Sequence, residues 1–266
     1  MLPVLKFPTP THEQAAEAAY TFFISHPAVD TVLVVNSCAR GQAIPESDLD
    51  LAVLVLPETE DVEVARLEVL WKRETETDKT LQTYRALGKN AHLHLDVIKG
   101  QYQPLIWDEG GGLDSFEIEI GNQIAYAAAL HTTGPYYRQL QSQWLPYYSE
   151  DLRQQRLAMV RAACAYDLEQ IAFFVRRELY FQAFDRLYKG FQEFLQALFI
   201  DQRVYPLAYN KWVHMQVAEW LGNPALYHAL PAVLSVHNLA RDELVHKASL
   251  LKNLLDKWVT ALSSKA

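Results

Sequence analysis

The chain has 266 residues, half of them apolar and 21% charged, which excludes wholesale disorder and leaves room for one large domain or two small ones. Its 24 Lys and Arg against 32 Asp and Glu give a net charge of −8, the wrong sign for a general nucleic-acid binder. No apolar run reaches the ~18 residues that span a bilayer. Residues 1–10 carry prolines and no apolar stretch of a secretory signal. Two cysteines, Cys38 and Cys164, are too few for a disulfide framework, and no His/Cys group has zinc spacing. These features point to a reducing, cytoplasmic compartment. The charge is unevenly spread: residues 1–134 hold 9 basic and 20 acidic side chains, residues 135–266 hold 15 and 12. That split argues for two modules.

In chain order, Thr11 and Gln14 fit a capping box ahead of Ala15, Ala16, Ala18, Ala19, Phe22 and Phe23, which predicts a helix over 12–25. Residues 30–35 and 49–56 are short runs rich in Val and Leu and read as buried strands. The polar stretch 36–47 between them, with Gly41 and Pro45, reads as a loop or a loop with a short helix. Residues 61–87 carry Val62, Val64, Leu67, Leu70 and Trp71 at helical spacing. Residues 91–98 alternate as a third strand, and residues 113–120 suggest a fourth. Beyond about residue 122 the texture becomes helical, with apolar stripes over 152–179, 182–200, 211–221 and 240–262. The expectation is an α/β part over 1–122, then an all-α bundle over 123–266.

The segment 36–51, Asn-Ser-Cys-Ala-Arg-Gly-Gln-Ala-Ile-Pro-Glu-Ser-Asp-Leu-Asp-Leu, carries the chemistry. A strand enters it and another leaves it. Asp48 and Asp50 are two apart at a strand start, so both side chains face one way. Two close carboxylates repel unless a cation joins them. An oxygen-only set at a sheet edge suits Mg²⁺ together with substrate phosphates. Asp96, flanked by Leu95 and Val97, is a charge in an apolar strand and asks for a partner or a metal. If the two strands are neighbours, Asp96 completes a three-carboxylate cluster able to hold two metal ions.

This run resembles the signature of the DNA polymerase β-like nucleotidyltransferase superfamily. Its small bacterial members read Gly-Ser-x-Ala-x-Gly-x-Ala, then Ser-Asp-x-Asp-Leu. Ser37, Ala39, Gly41, Ala43, Ser47, Asp48, Asp50 and Leu51 match without gaps, while Asn36 stands where the family has glycine. The resemblance implies a nucleotidyltransferase domain with a small mixed sheet. The helical remainder is similar to the bundle that follows it in kanamycin nucleotidyltransferase-like relatives. It implies transfer of a nucleoside monophosphate, AMP from ATP, to a hydroxyl of a small, aminoglycoside-like acceptor. Ser37 and Arg40 then bind the nucleotide. Asp48, Asp50 and Asp96 are catalytic and hold two Mg²⁺ ions, with Asp96 favouring the acceptor alkoxide. The expected partners are a nucleoside triphosphate and the acceptor, with neither membrane nor nucleic acid, and a homodimer is compatible.

Other residues carry weaker expectations. Asn at 36 tolerates a left-handed backbone. Ser37 alone would read as a helix cap, and Cys38 as a spectator with no base beside it. Asp108 and Glu109, before three glycines, read as part of a loop. Glu117 and Glu119 share a face if 113–120 is a strand, which makes either a candidate base for the acceptor. Lys189 and Lys211 are candidate triphosphate contacts. Arg241 and His246 match the spacing of a HEPN ribonuclease motif. That supports the alternative, a regulatory or toxin–antitoxin-like protein whose bundle binds a partner or cleaves RNA.

Overall fold

In a computed structural model, residues 5–88, 92–105 and 113–260 are described. Asp108, Glu109 and the glycines after them lie outside the described residues. The first elements are α1 (Pro10–Ile24), β1 (Val29–Val34), a four-residue turn of helix α2 (Asn36–Ala39) and β2 (Leu49–Val55). They are followed by α3 (Asp61–Thr77), α4 (Lys79–Arg85) and β3 (Leu93–Ile98). The chain is α/β here, as the apolar runs imply. The cap of α1 differs from expectation: Thr9, not Thr11, accepts from the backbone of His12, and Pro10 opens the helix.

The strands form one mixed sheet in the order β3-β2-β1-β4, where β4 is the two-residue Ala128–Ala129. β1 runs antiparallel to β2 and to β4, and β2 runs parallel to β3. A parallel neighbour requires a crossover, and α3 and α4 supply it. One sheet face carries Val32, Val34, Leu49, Leu51 and Val53 against Ala15, Ala16, Ala19 and Phe23 of α1. The alanines let the helix lie close. Burial of each Leu or Phe contributes about 1.5–3 kcal/mol.

The stretch 113–120 is not a strand. Phe116–Ile120 is helical (α5) and runs into a π turn over Gly121–Ala125. The expected fourth strand is therefore replaced by β4, farther along the chain. Next comes α6 (Pro135–Trp144), which packs on β1. Its capping residue, Gly134, has no side chain, and Asp30 of β1 acts as the cap. The Asp30 carboxylate accepts from Tyr136 N at 3.0 Å and Tyr137 N at 2.9 Å. A Cβ on Gly134 would stand 2.3 Å from that carboxylate, so only glycine fits.

The rest is helical: α7 (Glu150–Arg176), α8 (Tyr180–Gln202), a π turn over Met215–Trp220, α9 (Pro224–Leu234) and α10 (Glu243–Trp258). α7 and α8 form an antiparallel hairpin, and α10 packs on both. Their core includes Leu157, Val160, Ile171, Leu187, Phe194, Leu198 and Leu251. At its centre Arg156 is fully buried. It bonds Asp114 at 2.7 and 3.0 Å and Glu117 at 2.6 and 2.8 Å, with Gln196 donating to both acids. No helix among the described residues is long and apolar enough to cross a membrane.

Two compact units result, and they interleave. One takes residues 1–103 and 119–146, the other 104–118 and 147–266. The single cut expected at 122/123 becomes three crossings. The physical reasons are local: Asp30 ties α6 to the sheet, while Arg156 ties Asp114 and Glu117 to α7.

Candidate active site

The site is built where β1 ends and β2 begins. After β1 the chain turns sharply at Asn36, whose φ is +57°. Asparagine tolerates this left-handed value better than other side-chain-bearing residues. Asn36 opens α2, and its side chain hydrogen-bonds the Asp50 carboxylate. Gly41, with φ +67°, closes the turn as Gln42 N donates to Ser37 O at 2.9 Å. That use of a glycine just past a helix end is the usual way to satisfy its last carbonyls. Ser37 lies inside α2; Val35 occupies the cap position, with no side-chain capping bond. The capping reading of Ser37 is thus corrected, because the helix begins at Asn36, two residues before the Cys38 start that a Ser37 cap implies.

Asp50 is half-buried on the sheet face opposite α1. Across the parallel pairing its neighbour is His94, and Ala52 pairs with Asp96. Asp50, His94 and Asp96 therefore point to the same side. Strand spacing of about 4.8 Å and a two-residue rise of about 6.7 Å put the Asp50 and Asp96 Cα atoms about 8 Å apart. Asp48, just before β2, accepts from His92 N at 3.0 Å, and its other oxygen lies 3.9 Å from His94 Nε2. Among the described residues no three His, Cys, Asp or Glu side chains lie close enough to hold a metal as they stand.

Electrostatics mark Asp50 as the strained member. Burial pushes its carboxyl above the ordinary range, and Asp48 and Asp96 push the same way. Asn36 and His94 pull it back. Arg40 is lowered by burial, while the charge of Asp50 favours its ionised form. Arg40 also donates to Gln42 at 3.2 Å and lies near Tyr126. Asp96 is exposed. The expectation that a charge flanked by Leu95 and Val97 asks for a partner or a metal loses its force here, because β3 is an edge strand and the face carrying Asp96 is open.

Cys38 is fully buried, its thiol pushed up to about 12 by burial, which leaves it a spectator. Glu117 is not a base. It is fully buried, both its oxygens accept from Arg156, and Tyr148 donates to it at 2.8 Å. Glu117 and Glu119 share a helix rather than a strand, so they face different ways. Lys189 is held by Asp167 at 3.2 Å. Arg241 precedes α10 while His246 lies within it, so the two do not share a helix.

Two residues near the site went unmarked in the sequence. Tyr126 follows the π turn, and nothing in its neighbourhood signals a role. His94 shows in the sequence only as part of an alternating strand, though alternation itself puts it on the face of Asp96. The chain matches no protein-family model and no curated protein.

Proposed function

We propose that the chain is a nucleotidyltransferase that moves AMP from ATP to a hydroxyl of a small acceptor. The observation that carries this reading is the shared sheet face of Asp50, His94 and Asp96, with Asp48 at its start and Arg40 beside it. A half-buried carboxylate that feels the charges of Asp48 and Asp96 would be relieved by an oxygen-ligated cation, and the donor set suits Mg²⁺. Asp48, Asp50 and Asp96 would hold Mg²⁺, whose charge polarises phosphoryl oxygens and the attacking hydroxyl.

The chain's own residues then have defined tasks. Asn36 orients Asp50. Ser37 donates its hydroxyl to a phosphate oxygen, and Arg40 adds charge-assisted bonds to the same group. The acceptor hydroxyl releases its proton to solvent as its oxygen bonds to the α-phosphorus, the α–β bridging P–O bond breaks, and pyrophosphate leaves. A polycationic acceptor suits the acidic surplus of residues 1–134.

The test is pyrophosphate release from ATP, GTP, CTP and UTP with Mg²⁺ across a panel of hydroxyl acceptors, for the wild type and Asp50→Asn. Release that depends on acceptor and vanishes in Asp50→Asn is expected. No release with any nucleotide, or release that survives Asp50→Asn, overturns the reading.

A further inference from the structure

The turn into β2 is gripped by side chains from two helices. His12, in the first turn of α1, is fully buried and lies on the stripe formed by Ala15, Ala16, Ala19 and Phe23. Its Nε2 stands 3.0 Å from the carbonyl oxygen of Ser47. Its Nδ1 stands 2.7 Å from Thr9 Oγ1. A carbonyl oxygen can only accept, so Nε2 carries the hydrogen. Nδ1 is then an acceptor, and the Thr9 hydroxyl donates to it. One tautomer thus satisfies both ring nitrogens, as a buried polar group requires.

Beside it, Tyr84 of α4 meets the His12 ring edge-on, with centroids 5.0 Å apart. Its hydroxyl donates to the carbonyl of His92 at 3.3 Å. Leu49 N donates to that same carbonyl, and His92 N donates to Asp48 Oδ1, both at 3.0 Å. The peptide before Asp48 and the carboxylate of Asp48 are therefore fixed by one connected set, Thr9–His12–Ser47 and Tyr84–His92–Asp48. A leucine at 12 would fill an apolar stripe without the cost of burying an imidazole, but it would release Ser47.

We infer that His12, held as the Nε2–H tautomer, is a positioning residue that sets the Ser47–Asp48 peptide and through it the direction of the Asp48 carboxylate. The link to cation binding rests on the nucleotidyltransferase reading; the hold on the peptide does not.

Two measurements on the full chain test it. Long-range ¹H–¹⁵N spectra report the tautomer of each imidazole. Hydrogen on Nε2 of His12 is expected, and hydrogen on Nδ1 overturns the inference whether or not any variant folds. Hydrogen exchange at the Ser47 and Leu49 amides and Mn²⁺ binding are then compared in His12→Leu and His12→Gln. A Gln amide reaches the place of Nε2, so His12→Gln is expected to restore both readouts. His12→Leu is expected to speed exchange at these amides and to weaken Mn²⁺ binding about tenfold, as loss of a ligand-orienting partner does. Wild-type exchange rates in His12→Leu, or no rescue by His12→Gln, overturn the positioning role. A wild type that binds no Mn²⁺ counts against the nucleotidyltransferase reading alone, because the exchange readout does not need the ion.

Discussion

At Asn36 a single backbone angle and a single side chain serve the same carboxylate. The left-handed φ costs a non-glycine residue about 1 kcal/mol, and the bond to Asp50 offsets it. Asn36→Ala keeps the strain and loses the bond, so a loss of about 1–2 kcal/mol in urea unfolding is expected. Asn36→Gly relieves the strain as it loses the bond and should stay within about 1 kcal/mol of wild type. Asp50 gives a prediction that depends on pH. Its carboxyl lies above the ordinary 3.8, chiefly through burial. The stability this group contributes is full below that ordinary value and is lost as pH rises through the raised one. In metal-free protein, Asp50→Asn should therefore raise the melting temperature near pH 7 and give no gain near pH 3. Thermal scans at the two pH values check it. The motif made Asn36, Arg40, Asp48 and Asp50 legible, because a turn between two apolar strands leaves few other uses for such residues. His12 was less legible. Its place on a stripe with Ala15, Ala16, Ala19 and Phe23 does predict burial, but its partner is 35 positions away, beyond any local pattern.

Among the elements, strands and long helices follow the apolar pattern closely, because Val and Leu at period two or near 3.6 have one way to reach a core. The stretch 113–120 shows where that logic breaks. Phe116, Ile118 and Ile120 alternate well enough for a strand, yet Asp114 and Glu117 are three apart and both reach Arg156. In an extended strand, positions three apart face opposite ways; here Asp114 stands just before α5 and Glu117 in its first turn, and a buried guanidinium outweighs a weak local preference. The α7–α8 hairpin holds another buried acid. Glu193 is almost wholly enclosed and pushed up to about 8, by burial first and then by Asp167, with Lys189 and Arg186 opposing. Its contribution is full below the ordinary 4.5 and is lost as pH rises through about 8. Glu193→Gln should thus match wild type in thermal stability near pH 4 and exceed it near pH 9.

On the scale of the whole molecule, the contrast in composition between the two halves was visible, but the threading was not, because residue counts do not record where a chain crosses. Arg156 is the anchor of the second unit. Opposing effects act on it: burial favours loss of its proton, and the bonds to Glu117 and Asp114 win, so it stays charged. Arg156→Ala strands two buried carboxylates and should cost about 3–5 kcal/mol, read as faster hydrogen exchange throughout α7 and α8. The interleaving of residues 104–118 and 119–146 also has a temporal side. A nascent chain emerges from its N-terminal end, and domains ordinarily fold in that order. Here β1 waits for β4 and for the helix capped by Asp30, which leave the ribosome only after residues 104–118. Asp114 and Glu117 in turn wait for Arg156 and Gln196. A stop codon or protease cut after residue 146 would keep every residue of the first unit but leave Asp114 and Glu117 without Arg156 and Gln196, so no single cut gives both units intact.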